Sequence, residues 1–426
     1  MNQLMISHRL RSAAGMKRAY CLFCLCLLAG PVIAQTTKNV YPNTGICAGL
    51  PKVDLATPAG FCVGVVAQGF KFPRGIAPLP NGDLIVADLG GWTPNKGSVW
   101  LLQRTASGYK KRQLLDRIDR PHGVAIGPDG RVYIGVVGGI FRFNLREPKI
   151  EYVIGENSGI AATPSSGRHP LTSFVFDRDG QLFVNVGSES DNCDKDDVMP
   201  DPARPCAETT GREPRGVIRK YAMQWPEGKV GAWVNFASGL RNSIALAAHP
   251  ESKLLLQGEN SRDAINRRIP GMANDEDQPH DELNVIESAQ NYGWPYCYDN
   301  GKASPEFPGA DCSRYRKPAL LLPAHVAPLG MIYYSGNAFP AEYKGNLIIA
   351  YHGYRKYGHR IVAIPVDVRG VPNGPTRDLI SNWEPRKNQP RGTPVDVRTG
   401  ADGALYISED RNGTILKLVY ENPPPR

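Results

Sequence analysis

Five histidine and arginine residues recur at one kind of place in this chain, just ahead of a short apolar segment that leads into a tight turn. They are His122, His169, Arg241, His325 and Arg391. A neutral imidazole can take a proton from a hydroxyl group, and a guanidinium can polarise a carbonyl or hold an anion. A single loop histidine is more often structural, but five such residues at equivalent positions favour one shared pocket. The spacing therefore predicts a polar ring built from five separate segments.

A turn followed by an apolar strand recurs six times and would position this ring. The turns lie near residues 80–82, 128–130, 178–180, 250–253, 343–345 and 401–403. Asn-Gly and Asp-Gly pairs at these turns are typical of two-residue hairpin turns. One strand precedes each turn and another, often opened by glycine, follows the apolar strand. This repeat predicts an all-β fold, a six-bladed β-propeller with four-stranded antiparallel blades. A β-sandwich with unrelated Asp-Gly turns is the alternative.

The sequence predicts a division of the chain into four segments. Residues 1–34 read as a signal peptide, because basic residues precede an apolar run over 19–33 and small residues precede Gln35. The start is Met1 or Met16. Residues 35–65 are expected to be an N-terminal extension, 66–420 the propeller and 421–426 a disordered tail. The strand Thr414–Tyr420 is expected to close the ring by pairing near the mature N terminus.

Compartment and cysteine spacing agree with export. The apolar run of the signal is too short to span a bilayer comfortably, so no membrane span is expected and the mature protein is expected to be periplasmic or secreted. Six cysteines follow the signal. Fifteen pairings are possible, and clustering favours Cys47–Cys62, Cys193–Cys206 and Cys297–Cys312. A metal site is the alternative, but the six lack the Cys-x-x-Cys spacing of such sites.

Composition limits the partners. The formal net charge is +9, and the basic residues are dispersed, which disfavours nucleic-acid binding and suits an anionic cofactor or small substrate. Oxidising an alcohol needs a hydride acceptor, and no side chain provides one. The sequence lacks a Gly-x-Gly-x-x-Gly motif, which disfavours NAD. It also lacks the haem-binding Cys-x-x-Cys-His motif, so electrons are expected to pass to an external acceptor, a cytochrome or a quinone, that is not fused to the chain.

Five runs between residues 239 and 329 carry a family resemblance. They are Gly239-Leu240-Arg241-Asn242, Gly258-Glu259-Asn260, Asp281-Glu282-Leu283-Asn284, Asn291-Tyr292-Gly293-Trp294-Pro295 and Pro323-Ala324-His325-Val326-Ala327-Pro328-Leu329. In this order they resemble the dehydrogenases of sugars that depend on pyrroloquinoline quinone (PQQ), the group of soluble glucose, aldose sugar and sorbosone dehydrogenases. The resemblance covers residues 66–420. The pyranose dehydrogenase branch looks close through Arg168-His169 and Val186-Gly187-Ser188.

The resemblance implies PQQ over the propeller axis with Ca²⁺ beneath it and a small sugar as substrate. His169 matches the base that takes the hydroxyl proton, and Arg241 with Asn242 matches the pair at the quinone carbonyl. The stretch Glu259, Asn260 and Ser261 matches the Ca²⁺ loop, which holds the ion largely through backbone carbonyls, and Glu259 is also assigned to the cofactor. Cofactor carboxylates are assigned to Arg355 or Lys356, and the other ring residues, His122, His325 and Arg391, are assigned to the cofactor as well.

Three departures from the family pattern bear on the substrate. Thr393 stands where relatives place an arginine, with Arg391 two residues away as a substitute. Arg168 replaces an acid or hydrogen-bond partner ahead of the catalytic histidine, and Asn260-Ser261 replaces a Gly-Pro pair. Two other functions stay open: a Ca²⁺-dependent propeller lactonase or hydrolase, and a non-catalytic propeller that binds glycans or a protein partner.

Overall fold

Short apolar segments separated by glycine-containing turns form six sheets of four or more mainly antiparallel strands in the described residues, besides one two-stranded sheet, so the predicted six-bladed propeller is confirmed. The structure is a computed structural model that describes residues 40–194, 198–383 and 392–421. The predicted signal peptide, Arg391 and residues 422–426 lie outside the described residues. No helix in the described part of the chain is long and apolar enough to cross a membrane.

The strands follow the chain in blade order. The N-terminal residues form β1 (Ile46–Cys47), β2 (Leu50–Val53) and β3 (Phe61–Gln68). Blade 1 contains β4 (Pro73–Pro78), β5 (Leu84–Asp88), β6 (Gly97–Thr105) and β7 (Gly108–Ile118). Blade 2 contains β8 (Val124–Ile126), β9 (Val132–Val136), β10 (Gly139–Phe143) and β11 (Glu151–Ile154). Blade 3 contains β12 (Phe174–Phe176), β13 (Leu182–Val186), β14 (Val217–Gln224) and β15 (Lys229–Ser238).

The second half repeats the pattern with longer connections. Blade 4 contains β16 (Ala245–Ala248), β17 (Leu255–Glu259), β18 (His280–Ile286) and β22 (Leu320–Ala324). Three short strands lie between β18 and β22: β19 (Gln290–Asn291), which pairs with β15 of blade 3, and β20 (Cys297–Tyr298) and β21 (Lys302–Ala303), which pair with each other. Blade 5 contains β23 (Pro328–Tyr333), β24 (Leu347–Tyr351), β25 (Arg360–Ile364) and β26 (Arg377–Ile380). Blade 6 contains β27 (Pro394–Thr399), β28 (Leu405–Glu409) and β29 (Thr414–Tyr420). Four 3₁₀ turns lie at Ala207–Thr209, Ile265–Arg267, Cys312–Arg314 and Ala341–Tyr343.

The ring closes by pairing the two ends of the chain. The outermost strand of blade 6 is β3, which pairs antiparallel with β29 so that Phe61 faces Tyr420 and Val63 faces Leu418. The closure predicted for the last strand is therefore confirmed. Because β3 begins at Phe61, the propeller includes the last residues of the segment expected to be an extension. Closure matters because a closed ring leaves few exposed strand edges.

The repeated turns differ from the sequence prediction. In blade 1, the Leu79 N–H donates to the Asp83 carbonyl (2.8 Å) and the Gly82 N–H donates to the Leu79 carbonyl (2.9 Å), which encloses a three-residue loop. Gly82 has φ 86°, whereas Asn81 is not among the positive-φ residues. The Asn81 side chain instead accepts the Asp83 N–H (3.1 Å), as in an Asx turn. The prediction of two-residue turns is therefore wrong, because that type needs positive φ at both central residues.

Apolar side chains from neighbouring sheets pack between the blades and hold them around the axis. One such core joins blades 1 and 2 through Ile85, Val99, Ile134 and Phe141, all of them buried. The three predicted disulfides, Cys47–Cys62, Cys193–Cys206 and Cys297–Cys312, are all present. The first crosslinks the N-terminal strands of blade 6, and the other two lie in the long connections of blades 3 and 4.

Candidate functional site

His169 precedes β12, the inner strand of blade 3, and is half-buried near the end of the axis where the long connections lie. Its Nδ1 is 2.8 Å from the Ser188 hydroxyl, and that hydroxyl donates to the Ser190 carbonyl (2.7 Å). A serine hydroxyl has only one hydrogen, so it accepts from Nδ1–H and leaves Nε2 of the neutral ring unprotonated. Burial, with Arg241 nearby, holds the pKa of His169 well below its usual range. The imidazole is therefore neutral at neutral pH and has a free base at Nε2.

Arg241 precedes β16 in blade 4 and is buried beside this histidine; its carbonyl accepts the Ser188 N–H (2.8 Å). Its Nε donates to the Asp191 carboxylate (3.1 Å), and its Nη2 also donates to that carboxylate. Its Nη1 donates to the Asn260 carbonyl (2.7 Å). Burial acts to lower the pKa of Arg241, but the carboxylates of Asp191 and Asp263 raise it overall. The cation is thus held in one orientation by the connections of blades 3 and 4.

Glu259 ends β17 and supports the backbone of the Arg241-Asn242 pair. Its Oε1 accepts the N–H groups of Arg241 (2.7 Å) and Asn242 (2.9 Å), and its Oε2 accepts from Gln257 Nε2 (2.7 Å). Burial raises the pKa of Glu259 to about 7. The Asn242 Oδ1 is buried and makes no hydrogen bond, which leaves an acceptor oxygen beside the arginine. Glu259 therefore supports the backbone of the predicted Arg241-Asn242 pair.

The stretch assigned to Ca²⁺ offers mainly carbonyl oxygens. Asn260 donates its side-chain N–H to the Pro328 carbonyl (2.9 Å), and the Ser261 hydroxyl donates to the His280 carbonyl. The Asp281 carboxylate accepts the N–H groups of Ser261 and Ala327. Across the described residues, the sets of three close His, Cys, Asp or Glu ligand atoms both contain a disulfide and lie elsewhere. A cation at Asn260 would therefore be held by carbonyl and amide oxygens, not by a carboxylate cluster.

His325, Arg355 and Lys356 lie along the rim between blades 4 and 5. The His325 Nε2–H donates to the Asp275 carbonyl (2.7 Å), and Arg355 Nη1 donates to the Asp275 carboxylate (2.7 Å). Lys356 is exposed and pairs with Asp277 (3.5 Å). Arg355 and Lys356, the two cations assigned to a cofactor, are thus paired with acids of the blade 4 connection. Lys356 lies at the exposed edge of that connection.

A second polar cluster lies across the axis in blades 1, 2, 5 and 6. Arg74 forms an ion pair with Asp410 (3.3 Å), and Asp410 also accepts from the Thr393 hydroxyl (2.6 Å) and lies 3.2 Å from His352 Nε2. The neighbouring His122 is buried, and neither of its ring nitrogens makes a hydrogen bond. Burial, with Arg74 nearby, lowers the pKa of His122 to about 3.

Several of these residues escaped the sequence prediction. Pro73-Arg74-Gly75 has the same form as Pro121-His122-Gly123, and the Gly75 N–H donates to the His122 carbonyl (3.0 Å), so Arg74 is the blade 1 member of the ring. That signal was present in the sequence. Asp191, His352 and Asp410 had no comparable signal, because they lie in connections of different length.

Taken together, the described ring has a base and a fixed guanidinium on one side and a second buried cation on the other. A narrow cavity of about 20 Å³ runs along the axis between the two sides and is lined by His122, Gly123, Asp396 and Arg398. The buried ring nitrogens of His122 and the buried Oδ1 of Asn242 make no hydrogen bond within the described residues. The arrangement suits proton abstraction from a hydroxyl group beside an anionic group held over the axis.

Comparison with known proteins places the chain in a family. The family model described as TrAA12-like matches residues 55–421. An uncharacterized protein of Borreliella burgdorferi is 30% identical over 388 residues, covering 86% of this chain and 91% of its own length. A pyrroloquinoline quinone-dependent pyranose dehydrogenase of Coprinopsis cinerea is 25% identical over 428 residues, covering 88% of this chain; the match spans 56% of that relative. The holo structure of the PQQ domain of a C. cinerea pyranose dehydrogenase is 21% identical with a TM-score of 0.66, covering 88% and 99% of the two chains, a likeness in fold alone.

Proposed function

The chain belongs to the TrAA12-like family, and on that premise we propose that it is an exported quinoprotein oxidoreductase. It oxidises a sugar or sugar aldehyde by hydride transfer to PQQ and passes the electrons to an external acceptor. The relatives matched over most of this chain include a PQQ-dependent pyranose dehydrogenase, which supports a pyranose as the substrate class. The observation that carries the proposal is the neutral His169, with Nε2 unprotonated, beside the fixed guanidinium of Arg241.

The polar atoms around the axis fit a tricarboxylate quinone. Arg241 and the side-chain N–H groups of Asn242 would hold the quinone oxygens, which accept hydrogen bonds. Arg74 and His122 would hold cofactor carboxylates, since Arg74 Nε and both His122 nitrogens are buried and make no hydrogen bond. Arg355 is the outer candidate, and Lys356 is too far out on the edge for this role. Ca²⁺ would be held through carbonyl oxygens near Asn260, as the hard-oxygen preference of the ion requires.

When bound, PQQ supplies the hydride acceptor that no side chain can provide. The protein supplies the proton acceptor: His169 Nε2 takes the proton of the substrate hydroxyl. The Nδ1–H bond to Ser188 keeps that tautomer and orients the imidazolium that forms. Arg241 is held by Asp191 and the Asn260 carbonyl, so its charge is oriented before the reaction and costs little reorganisation during it.

A Ca²⁺-dependent lactonase is the competing function for this fold. That chemistry uses carboxylate and amide side chains converging on one metal, and Glu259 would have to be one of them. Its carboxylate instead accepts two backbone N–H groups and the Gln257 amide. This arrangement favours the dehydrogenase.

Reconstitution tests the proposal. Metal-free protein is titrated with PQQ in the presence of Ca²⁺, and binding is followed by cofactor absorbance before dye reduction is measured over a panel of pyranoses and sugar aldehydes. We expect stoichiometric PQQ binding and sugar-dependent dye reduction. The His169→Ala variant is the control, with binding retained and turnover lost. Lactone hydrolysis with Ca²⁺ alone, without PQQ binding, would overturn the dehydrogenase and support the hydrolase.

A further inference from the structure

Five arginines are buried in the described part of the chain, and one of them differs from the rest. Four have a carboxylate within an ion-pair distance: Arg74 with Asp410, Arg142 with Asp129 and Glu151, Arg241 with Asp191, and Arg262 with Glu306. Arg219 is fully buried, at 0% exposure, and has no carboxylate within 4.0 Å among the described residues. None of its three guanidinium nitrogens makes a hydrogen bond.

The surroundings of Arg219 contain a second unpaired donor. Arg219 lies on β14, opposite Val184 of β13, and its side chain is directed into the core between blades 2 and 3. Tyr221, two residues along the same strand, presents its side chain on the same face. Its hydroxyl is also buried and has no partner in good hydrogen-bond geometry. Burial raises the pKa of Tyr221, and the Arg219 guanidinium, close enough to the hydroxyl to act as a hydrogen-bond donor to it, opposes that rise.

The protein groups near Arg219 do not balance its charge. The guanidinium carbon lies 3.9 Å from the centre of the Trp233 ring, so one face of the cation is covered by a π-system. A cation–π contact is weaker than the hydration that full burial removes, and arginine does not lose its proton in proteins. A buried charge of this kind is normally paired or hydrogen-bonded. Something with an acceptor atom and a negative charge is therefore required next to the guanidinium.

We propose that Arg219 and Tyr221 bind a small monovalent anion of chloride size inside the core between blades 2 and 3. The guanidinium lies among the apolar side chains of this core, so a compact ion is the anion that packing there would tolerate best. A monovalent ion neutralises one guanidinium, whereas a divalent one would leave a buried negative charge of its own. The anion would accept hydrogen bonds from the guanidinium and from the Tyr221 hydroxyl, and so satisfy donors that the fold leaves unpaired.

The site has a consequence for the catalytic side of the molecule. Val217, two residues before Arg219, pairs with Val186 of β13. Ser188, whose hydroxyl orients His169, lies two residues after Val186. Anion binding would therefore stabilise the sheet from which the base is positioned, without any contact between the anion and the reacting groups.

Thermal unfolding of protein freed of halide tests the proposal, because a ligand that binds only the folded state raises the melting temperature. We expect a rise of about 2 °C per tenfold increase in chloride above its dissociation constant. Sodium methanesulfonate at the same ionic strength should give no such rise. The Arg219→Met variant should lose the chloride response and match or exceed the wild type in halide-free buffer, since an unpaired buried charge is removed. Tyr221→Phe should weaken the response.

A matched control and a direct observation complete the test. Arg142→Met removes a buried arginine that has its own carboxylate partners, so it should lower stability while keeping the chloride response. A crystal soaked in bromide should show an anomalous peak beside the Arg219 guanidinium in the wild type and none in Arg219→Met. A melting temperature that depends on ionic strength alone, or bromide peaks only at exposed side chains, would overturn the proposal.

Discussion

Blades 4 and 6 each have a buried glutamate at the same place in the repeat, but the connection that follows this glutamate differs between the two blades. Glu259 ends β17 and accepts the N–H groups of Arg241 and Asn242; Glu409 ends β28 and accepts the N–H of Thr393 (2.9 Å). In both blades the acid is buried and holds the backbone that enters the inner strand. Burial raises the pKa of both acids to about 7.

The two blades differ in the connection that leaves the acid. In blade 4, residues 260–279 form a long connection whose Asn260 carbonyl and Asp263 carboxylate face Arg241. In blade 6, residues 410–413 form a short connection, and Asp410 pairs with Arg74 of blade 1. The shared support fixes where the ring residues lie, and the connection decides which chemistry surrounds them. The proposed base and its arginine therefore belong to the insertion-bearing blades, and the proposed contacts of Arg74 and His122 with cofactor carboxylates lie on the opposite side.

Removing the proposed base from the insertion-bearing side should have the largest effect on turnover. His169→Ala takes away the proton acceptor, and we expect turnover with a pyranose to fall by roughly 10²–10⁴-fold. PQQ affinity should stay near the wild-type value, because the cofactor contacts are proposed on other residues. Turnover and cofactor titration measure the two quantities separately. Near-normal dye reduction by this variant would show that the proton goes to another group.

Breaking one buried ion pair on each side sharpens the contrast. Asp191→Ala frees Arg241, and Asp410→Ala frees Arg74; each should cost about 3–5 kcal/mol of unfolding free energy because a buried charge loses its partner. With saturating PQQ, we expect only Asp191→Ala to lower kcat. Asp410→Ala should instead weaken PQQ retention. Chemical denaturation and PQQ titration report the outcomes, and equal kcat losses would remove the proposed division of roles.

The disulfides offer a second matched pair. Cys193–Cys206 and Cys47–Cys62 have sequence separations of 13 and 15 residues, so removing either by a double Cys→Ala change should cost about 3 kcal/mol. Only the first lies in the connection that carries Ser188 and Asp191. We expect its loss to reduce turnover at 25 °C in protein that is still folded, whereas loss of Cys47–Cys62 should leave turnover unchanged. Equal activity of the two folded variants would contradict this.

The last prediction concerns the pH dependence of stability and leaves the catalytic groups untouched. Burial raises the pKa of Glu259 and of Glu409 from 4.5 to about 7, so the folded protein binds these protons more tightly than the unfolded chain. Each group should therefore lower stability as pH rises from about 4.5 to 7, by on the order of 3 kcal/mol, with no further change above that range. Glu259→Gln and Glu409→Gln should each reduce this slope. Urea midpoints between pH 5 and 8 measure it, and unchanged slopes in both variants would refute the assignment.

Much of the fold could be predicted from the sequence because its signals are local. Turn residues, apolar strands and cysteine spacing recur at short range, so the six blades, the ring closure and all three disulfides were predicted correctly. The turn type was not, because the side chain of Asn81 supports a three-residue loop where Asn-Gly alone suggested a two-residue one. The resemblance to PQQ-dependent sugar dehydrogenases followed from the run of motifs, and the comparisons with known proteins agree with it.

The contacts between residues far apart in the chain, in contrast, depend on the tertiary structure. His169 and Ser188 are 19 residues apart within blade 3, and Arg74 and Asp410 belong to opposite ends of the chain, yet each pair is in contact. The contact between Arg74 and Asp410 depends on closing a ring of six sheets, and the lengths of the connections set which acid reaches which cation. Local periodicity carries no information on that, so the pairing of Lys356 with Asp277 and the unpaired Arg219 could not be foreseen. The scaffold and the ring positions are encoded locally in the chain, whereas the partners of each buried group come from long-range packing, because burial and pairing exist only once the blades have closed.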